Sequence, residues 1–209
     1  MINEEARSKR ILAQVEQQYK NAASELQFHN PYQLLVAVIL SAQSTDKQVN
    51  HVTTTLFDKA PDVFALAALS AEEIEQLIKG VGLFRNKSKN LARMAKILIE
   101  KHQGRVPDLR ADLEALPGVG RKTASVVLSV AFGKPALAVD THVFRVANRM
   151  GLADAKTPLQ TEASLCALIP PEKWGEAHHW LIHHGRYCCK AQTPFCKDCP
   201  VVEDCPKIL

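Results

Sequence analysis

The feature that most limits how this chain can fold is the spacing of its apolar residues. They recur at intervals of three and four along most of the 209 residues, as in Leu91, Met94, Ala95 and Leu98. Strict alternation of apolar and polar residues is nearly absent. The first spacing places apolar side chains on one face of an α-helix, whereas alternation is typical of a β-strand. The sequence therefore predicts an all-α fold.

Capping residues and prolines mark the ends of the predicted helices. Pro31 and Pro158 stand at helix starts, and Ser70 and Asp140 can cap the helices that follow them. Gly133 ends an apolar helix and precedes a short extended stretch. The predicted helices are 4–20, 32–40, 46–59, 62–66, 71–80, 87–102, 112–116, 121–132, 142–150, 159–169 and 174–187.

The segment from Gly133 to Pro135 is the best candidate for a domain boundary. We expect two helical domains with a cleft between them. Residues 24–134 would carry a helix-hairpin-helix motif, and residues 1–23 plus 135–209 would carry a cysteine-rich loop. The N-terminal helix is thus expected to pack onto the C-terminal half.

Charge and composition exclude several classes of protein. The formal net charge of +4 is a mild bias toward an acidic partner. The N-terminus lacks an apolar segment of signal-peptide length, and the longest apolar run, residues 34–40, is too short to span a bilayer. We therefore expect a cytoplasmic protein, nucleoid-associated if bacterial, with no membrane partner. In that reducing compartment the six cysteines are better interpreted as thiols or metal ligands than as disulfides.

The string LPGVGRKTA, residues 116–124, predicts a tight hairpin between two helices. Gly118 and Gly120 let the backbone turn sharply and approach a ligand closely, and Val119 would anchor the turn as an apolar plug. Their N–H groups, with the unpaired donors at the next helix start near Arg121, would form an anion site. Such a hairpin binds a DNA phosphate without reading sequence. A GxG before a helix can equally be only a turn and a cap.

Lys122 follows the second glycine and lies in the first turn of the next predicted helix. It could be one more cation that contacts a phosphate. The positive end of the helix dipole favours the neutral amine, however, by a few tenths to about 1 kcal/mol. A neutral amine is a nucleophile, as Schiff-base lysines require. Lys122 is therefore a candidate catalytic residue.

Four cysteines near the C-terminus have the spacing C-x6-C-x2-C-x5-C, which indicates a metal site within one compact loop. They are Cys189, Cys196, Cys199 and Cys205. Zinc is the general expectation for four cysteines, but those usually form two separated C-x2-C pairs. The spacing also differs from ferredoxin patterns, so spacing alone does not choose between zinc and an iron-sulfur cluster. Cys188 is adjacent and could replace the first ligand, with seven intervening residues.

The hairpin string, followed by AVDTHVFRVANR at residues 138–149 and the four-cysteine segment, resembles the endonuclease III family. These proteins are bifunctional DNA glycosylases and AP lyases of the helix-hairpin-helix superfamily, and the resemblance extends from Gln27 to Cys205. It implies that Lys122 attacks the sugar C1′ and that Asp140 stabilises the sugar and moves protons. On the residues alone Asp140 is more simply an N-cap. One carboxylate oxygen can cap while the other faces the cleft, so both roles can hold.

The same resemblance assigns further residues. It implies a [4Fe-4S] cluster on the four cysteines, which presents Lys190 and Lys197 to DNA. It also implies that Gln43 fills the space opposite the extruded base and that Leu83 is an apolar wedge. On the residues alone Gln43 would be a polar loop residue and Leu83 a core residue. Three neighbouring cations could form a phosphate-facing strip or only a solvated one, namely Arg85, Lys87 and Lys89.

These features lead to one main hypothesis and two alternatives. The expected function is base excision repair: a monomer removes oxidised pyrimidines from double-stranded DNA and then cleaves the strand at the abasic site. An adenine-mismatch glycosylase of the same superfamily would have a glutamate in the apolar segment 34–40, no lysine at position 122 and an additional C-terminal domain. A non-catalytic iron-sulfur module for DNA binding or redox sensing would not need Lys122 and Asp140 together.

Overall fold

The structure is a computed structural model that describes residues 4–208. They form eleven α-helices and no β-strand, so the all-α prediction is confirmed. The helices are α1 (Glu4–Tyr19), α2 (Pro31–Ser41), α3 (Asp46–Lys59), α4 (Val63–Ala68), α5 (Ala71–Leu77), α6 (Phe84–His102), α7 (Arg110–Glu114), α8 (Arg121–Phe132), α9 (Thr141–Arg149), α10 (Pro158–Leu168) and α11 (Trp174–His183). Among residues 4–208, none of the helices combines the length and the apolar character of a membrane-spanning segment.

Local sequence signals account for most helix ends. Pro31 and Pro158 occupy the first turns of α2 and α10, as predicted. Ser70 forms a capping box with Glu73 at the start of α5, and Gly133 ends α8 in the left-handed conformation. Each of these residues satisfies or tolerates the unpaired backbone groups of a helix end.

Several helix ends differ from the prediction, among them the end of α5 at Leu77 rather than Gly80. Two others lie next to candidate site residues. Helix α6 begins at Phe84 rather than Lys87, because its first turn is largely solvent-facing and does not continue the apolar spacing. Helix α11 ends at His183, and the chain continues as a π-helical turn from His184 to Cys188. Gly185 lies in that turn, where a Cβ atom would come within 2.9 Å of the His142 Cβ. The missing side chain of Gly185 thus lets this turn approach α9 closely.

The chain divides into two compact units, which we name by their motifs. The hairpin unit comprises residues 24–133, and the cysteine unit comprises residues 4–23 and 134–208 of the described chain. In the hairpin unit α2 is the central element, with every residue from Tyr32 to Leu40 buried, and it packs against α3, α6 and α8. In the cysteine unit α1 and α10 pack with α9 and α11 around a core that includes Ile11, Val146 and Leu181.

Candidate functional site

The hairpin is held by two buried side chains. Leu116 and Val119 are 2% and 7% exposed, and the Val119 N–H donates to the Leu116 carbonyl oxygen over 3.1 Å. Gly118 lies between them with φ +83°, and its missing side chain leaves room for Asn90. Val119 therefore anchors the turn to its own unit, as the apolar-plug prediction required, and a side chain at position 118 would be strained.

The hairpin leaves several backbone N–H groups without an acceptor in the part of the chain that the structure describes. The N–H groups of Gly118, Gly120 and Lys122 donate to no residue within the described range 4–208. Gly120 caps α8 without a side chain, and a Cβ placed on it would meet nothing within 4 Å. Open N–H groups at a helix start attract anions, because the helix dipole places partial positive charge there. The hairpin can therefore hold a phosphate.

Lys122 is exposed in the first turn of α8, directly after the hairpin glycines. Its side chain has no hydrogen-bond or ion-pair partner among the described residues. Helix α8 is joined to α7 by a hydrogen bond, in which the Arg110 guanidinium donates to the buried Ser125 hydroxyl over 3.1 Å. An anion bound by the hairpin would thus lie close to a solvent-accessible amine on a rigid helix.

Asp140 caps α9 with one carboxylate oxygen. Its Oδ1 accepts the His142 N–H and the Val143 N–H, both at 2.9 Å. In the described chain Oδ2 accepts no hydrogen bond, and the residue is half-buried. The capping role is therefore confirmed, and it leaves one oxygen available for chemistry. Asp140 belongs to the cysteine unit and Lys122 to the hairpin unit.

The C-terminal thiols line one small cavity in the cysteine unit. The four predicted ligands Cys189, Cys196, Cys199 and Cys205 all contribute to its wall, as do Cys188 and His184. The donor atoms of His184, Cys188 and Cys199 lie within 4.8 Å of one another. Burial lowers the pKa of His184 to about 4, so its ring is neutral at neutral pH. This donor set fits a thiophilic metal centre, and the cavity brings Cys188 to it as well.

Two arginines that the sequence analysis overlooked connect α9 to the cysteine-rich loop. Arg145 donates to the backbone oxygens of Gly185 and Cys189 over 2.8 and 3.0 Å. Arg149 donates to the Lys190 and Ala191 oxygens and also points its Nη1 at the Cys189 sulfur, 3.8 Å away. The sequence signal for this pair was the spacing of four residues between Arg145 and Arg149, which places both side chains on one face of α9. Helix α9 thus carries Asp140 at one end and fixes the cysteine loop at the other.

The two cations predicted to face DNA from this loop are exposed. Lys190 and Lys197 both reach solvent, and the Lys190 ammonium lies 4.6 Å from the centre of the Phe195 ring. A cation over an aromatic face is held in position without losing its charge. Lys190 is therefore oriented as well as exposed.

Gln43 and Leu83 share an unusual backbone conformation. Their φ angles are +55° and +57°, in the left-handed region that residues other than glycine rarely adopt. Both side chains are exposed, and Leu83 is 53% accessible, so the interpretation of Leu83 as a core residue is wrong. Each such residue costs about 1–3 kcal/mol, which the surroundings must offset.

The predicted cationic strip at the start of α6 is only partly present. Arg85 and Lys89 are exposed, but Lys87 is 5% exposed and does not face solvent. Its ammonium donates to the Leu40 oxygen over 2.8 Å, the Ala42 oxygen over 2.5 Å and the Ser44 hydroxyl over 3.2 Å. Lys87 is thus excluded from the strip, because the C-terminal end of α2 supplies it with two carbonyl acceptors and the following segment supplies the Ser44 hydroxyl.

Comparisons with known proteins give one consistent similarity. A family model described as HhH-GPD superfamily base excision DNA repair protein matches residues 36–171. Endonuclease III of Haemophilus influenzae is 48% identical over 93% of this chain and 92% of that protein, and endonuclease III of Bacillus subtilis is 50% identical over 90% and 86%. Endonuclease III of Escherichia coli K12 is 47% identical over 93% and 92%.

Solved structures agree with these relatives. A non-covalent endonuclease III–DNA complex and a trapped endonuclease III–DNA covalent intermediate each match with a TM-score of 0.94 at 45% identity. The match covers 99% of this chain and 97% of each of those chains. The similarity therefore includes both the hairpin string and the cysteine-rich segment.

Proposed function

Because this chain belongs to the endonuclease III family of the HhH-GPD superfamily, we propose that Lys122 and Asp140 carry its chemistry on DNA. The protein is a DNA-binding base-excision-repair glycosylase and AP lyase. The single observation that carries the residue assignment is the exposed amine of Lys122, which directly follows a hairpin with open N–H donors. A phosphate held by the hairpin places the adjoining sugar near that amine.

The proposed reaction starts at the sugar. The Lys122 amine attacks C1′ as the bond from C1′ to the base breaks, and the base leaves as an anion that takes a proton from water. The amine passes its own proton to Asp140, whose Oδ2 has no hydrogen bond in the described chain. Asp140 then returns this proton to O4′ as the bond from C1′ to O4′ breaks, which opens the sugar ring and leaves an imine between Lys122 and C1′. Loss of a C2′ proton then expels the 3′ phosphate. Water finally hydrolyses the imine and regenerates the amine.

We propose oxidised pyrimidines in double-stranded DNA as the substrates. Helix α2 contains no acidic residue and is buried throughout its apolar stretch, which speaks against the adenine-mismatch alternative. Gln43 and Leu83 are exposed on strained backbone, as suits residues that enter a duplex when a base is extruded.

A substrate panel tests this function. We expect base release and strand cleavage on duplexes that contain thymine glycol, with a 3′ unsaturated aldehyde as the product end. Adenine opposite guanine should react at least about 100-fold more slowly. A pocket whose hydrogen-bonding groups match the edge of a pyrimidine would leave some of those groups unpaired when it holds adenine. Base release without strand cleavage, or a preference for mispaired adenine, would contradict the proposal.

We propose that Cys189, Cys196, Cys199 and Cys205 hold a [4Fe-4S] cluster. All four line the same cavity, and the Arg149 guanidinium donates to the Cys189 sulfur over 3.8 Å, as a positively charged donor does to a metal-bound sulfur. Among the described residues no cationic group donates to the Cys188 sulfur, which lies 3.8 Å from the Phe195 oxygen. When bound, the cluster cross-links the loop that carries Lys190.

Two adjacent cysteines provide a matched test of the ligand set. Cys189→Ser should lower bound iron and acid-labile sulfide and remove the visible absorbance of the purified protein. Cys188→Ser should retain the iron content of the wild type, because it leaves all four proposed ligands in place. The measurement is iron, sulfide and zinc per chain, together with the absorbance spectrum. Loss of iron in Cys188→Ser alone would identify Cys188 as the ligand, and stoichiometric zinc in the wild type would overturn the cluster.

A further inference from the structure

Lys87 is a buried cation that the proposed reaction does not use. All three of its ammonium protons have acceptors, and in the described chain no carboxylate pairs with it. Two of the acceptors are carbonyl groups at the C-terminal end of α2, which have no partner within that helix and carry the negative end of its dipole. Desolvation lowers the pKa of Lys87, so the burial is not favourable in itself. The hydrogen bonds to Leu40, Ala42 and Ser44 must therefore offset the cost of burying the ammonium.

The acceptors belong to the segment that carries Gln43. Ala42 precedes Gln43 and Ser44 follows it, so Lys87 holds the chain on both sides of the left-handed residue. A free loop would relax Gln43 to an ordinary conformation, because the left-handed conformation is strained for a residue other than glycine. The contacts of Lys87 therefore bear directly on the backbone that presents Gln43.

A second contact joins this segment to the one that carries Leu83. The Gly82 N–H donates to the Ser44 hydroxyl over 2.9 Å, and that hydroxyl also accepts from Lys87. A side chain on Gly82 would collide with the Gln43 carbonyl oxygen, so the two backbones are in direct contact. Leu83 follows with its own left-handed conformation and caps α6, the helix to which Lys87 belongs. We use the name loop pair for residues 41–44 and 81–83. The Ser44 hydroxyl and the contact between Gly82 and Gln43 join these two segments.

We propose that Lys87 is a positioning residue that joins the loop pair, so that Gln43 and Leu83 enter DNA as one preformed element. The inference rests on the roles given above to Gln43 and Leu83. A preformed element lowers the free-energy cost of DNA binding, because the two loops do not lose conformational entropy at that step. Lys87 does not touch DNA in this scheme, and it acts through Gln43.

The test is a double-mutant cycle on base extrusion. Lys87→Met keeps most of the stem and removes the ammonium, and Gln43→Ala removes the proposed filling group. Extrusion is followed by the fluorescence of a 2-aminopurine placed beside thymine glycol in the duplex. Each single variant should reduce the extrusion equilibrium by about 10-fold, and the double variant should fall within about 2-fold of Gln43→Ala, since residues that act through one another are not additive.

Two controls separate positioning from a general loss of stability. Lys96→Met removes an exposed positive charge from the same helix and should change extrusion by less than about 2-fold, as is usual for surface substitutions. Ser44→Ala removes the hydroxyl shared by Lys87 and Gly82, and it should reduce extrusion by part of the Lys87→Met effect. This second variant keeps the test available if Lys87→Met folds poorly. Independent effects, in which the double variant loses about 100-fold, would overturn the inference.

Amide hydrogen exchange distinguishes failure of this inference from failure of the proposed function. In the DNA-free protein Lys87→Met should accelerate exchange of the Gly82 N–H by at least about 10-fold, because its partner Ser44 is released. Unchanged exchange would overturn the positioning role whatever the DNA assays show. Accelerated exchange, together with normal extrusion by Gln43→Ala and Leu83→Ala, would instead contradict the roles assigned to those two residues.

Discussion

Lys122→Ala is expected to abolish borohydride trapping on duplex DNA that contains thymine glycol or an abasic site. Borohydride reduces an imine between the enzyme and the sugar to a stable amine, so the covalent adduct reports the nucleophile itself. Loss of a covalent nucleophile costs many orders of magnitude in other enzymes, and we expect a decrease of at least about 1,000-fold in adduct. The measurement is the yield of the protein–DNA adduct on a denaturing gel at saturating protein.

Two further variants isolate the chemistry from the charge. Lys122→Arg keeps the positive charge in the first turn of α8 but cannot act as an amine nucleophile, and it should also fail to trap. Lys101→Ala removes an exposed lysine elsewhere in the hairpin unit and should trap as the wild type does. The DNA affinity of Lys122→Ala should fall only slightly, because the variant loses at most one phosphate contact. Such a loss changes the slope of log affinity against log salt concentration by about 0.9. An adduct that survives in Lys122→Ala would identify a different nucleophile.

Asp140→Asn is expected to slow base release by about 100-fold to about 10,000-fold while leaving the fold intact. Asparagine caps a helix as well as aspartate does, so the bonds to the His142 and Val143 N–H groups are retained. The lost charge at the start of α9 should lower the free energy of unfolding by no more than about 1 kcal/mol. The substitution removes the basic oxygen that we propose receives the Lys122 proton, and this loss is the reason for the expected decrease in rate. Single-turnover base release and urea unfolding measure the two quantities.

Asp140→Ala is the matched comparison for the capping role. It removes the cap as well as the carboxylate, and it should lower the free energy of unfolding by about 1 kcal/mol more than Asp140→Asn does. Base release should be slowed to a similar extent in both variants. A loss of DNA binding by Asp140→Asn comparable to its loss of rate would contradict a chemical role, because removing a negative charge should not weaken the affinity for DNA.

Features set by neighbouring residues were predicted well. The hairpin between α7 and α8, the anchoring of Val119 and the cap formed by Asp140 all follow from a few consecutive side chains. Hydrogen bonds in helices connect residues four apart, so helix starts and ends depend on groups within one or two turns. For the same reason the first turn of α6, which has no apolar spacing of its own, was missed.

Features that depend on distant partners were not predicted. Lys87 was interpreted as part of a surface strip, yet its acceptors are Leu40, Ala42 and Ser44. Arg145 and Arg149 received no role, because the Cys189 to Ala191 backbone that they bind lies far along the chain. A lysine or arginine in sequence is compatible with solvent, a phosphate or a buried carbonyl, and only the folded chain selects one of these partners.

The sequence by itself determined the helical class, the hairpin with Lys122 in the first turn of α8, and the cysteines available to a metal, because local spacing and backbone chemistry are sufficient for them. Only the tertiary structure decided that Gln43 and Leu83 adopt the left-handed conformation and that Lys87 is buried beneath them. Those states are locally unfavourable, and they persist because contacts between segments distant in sequence outweigh the local cost.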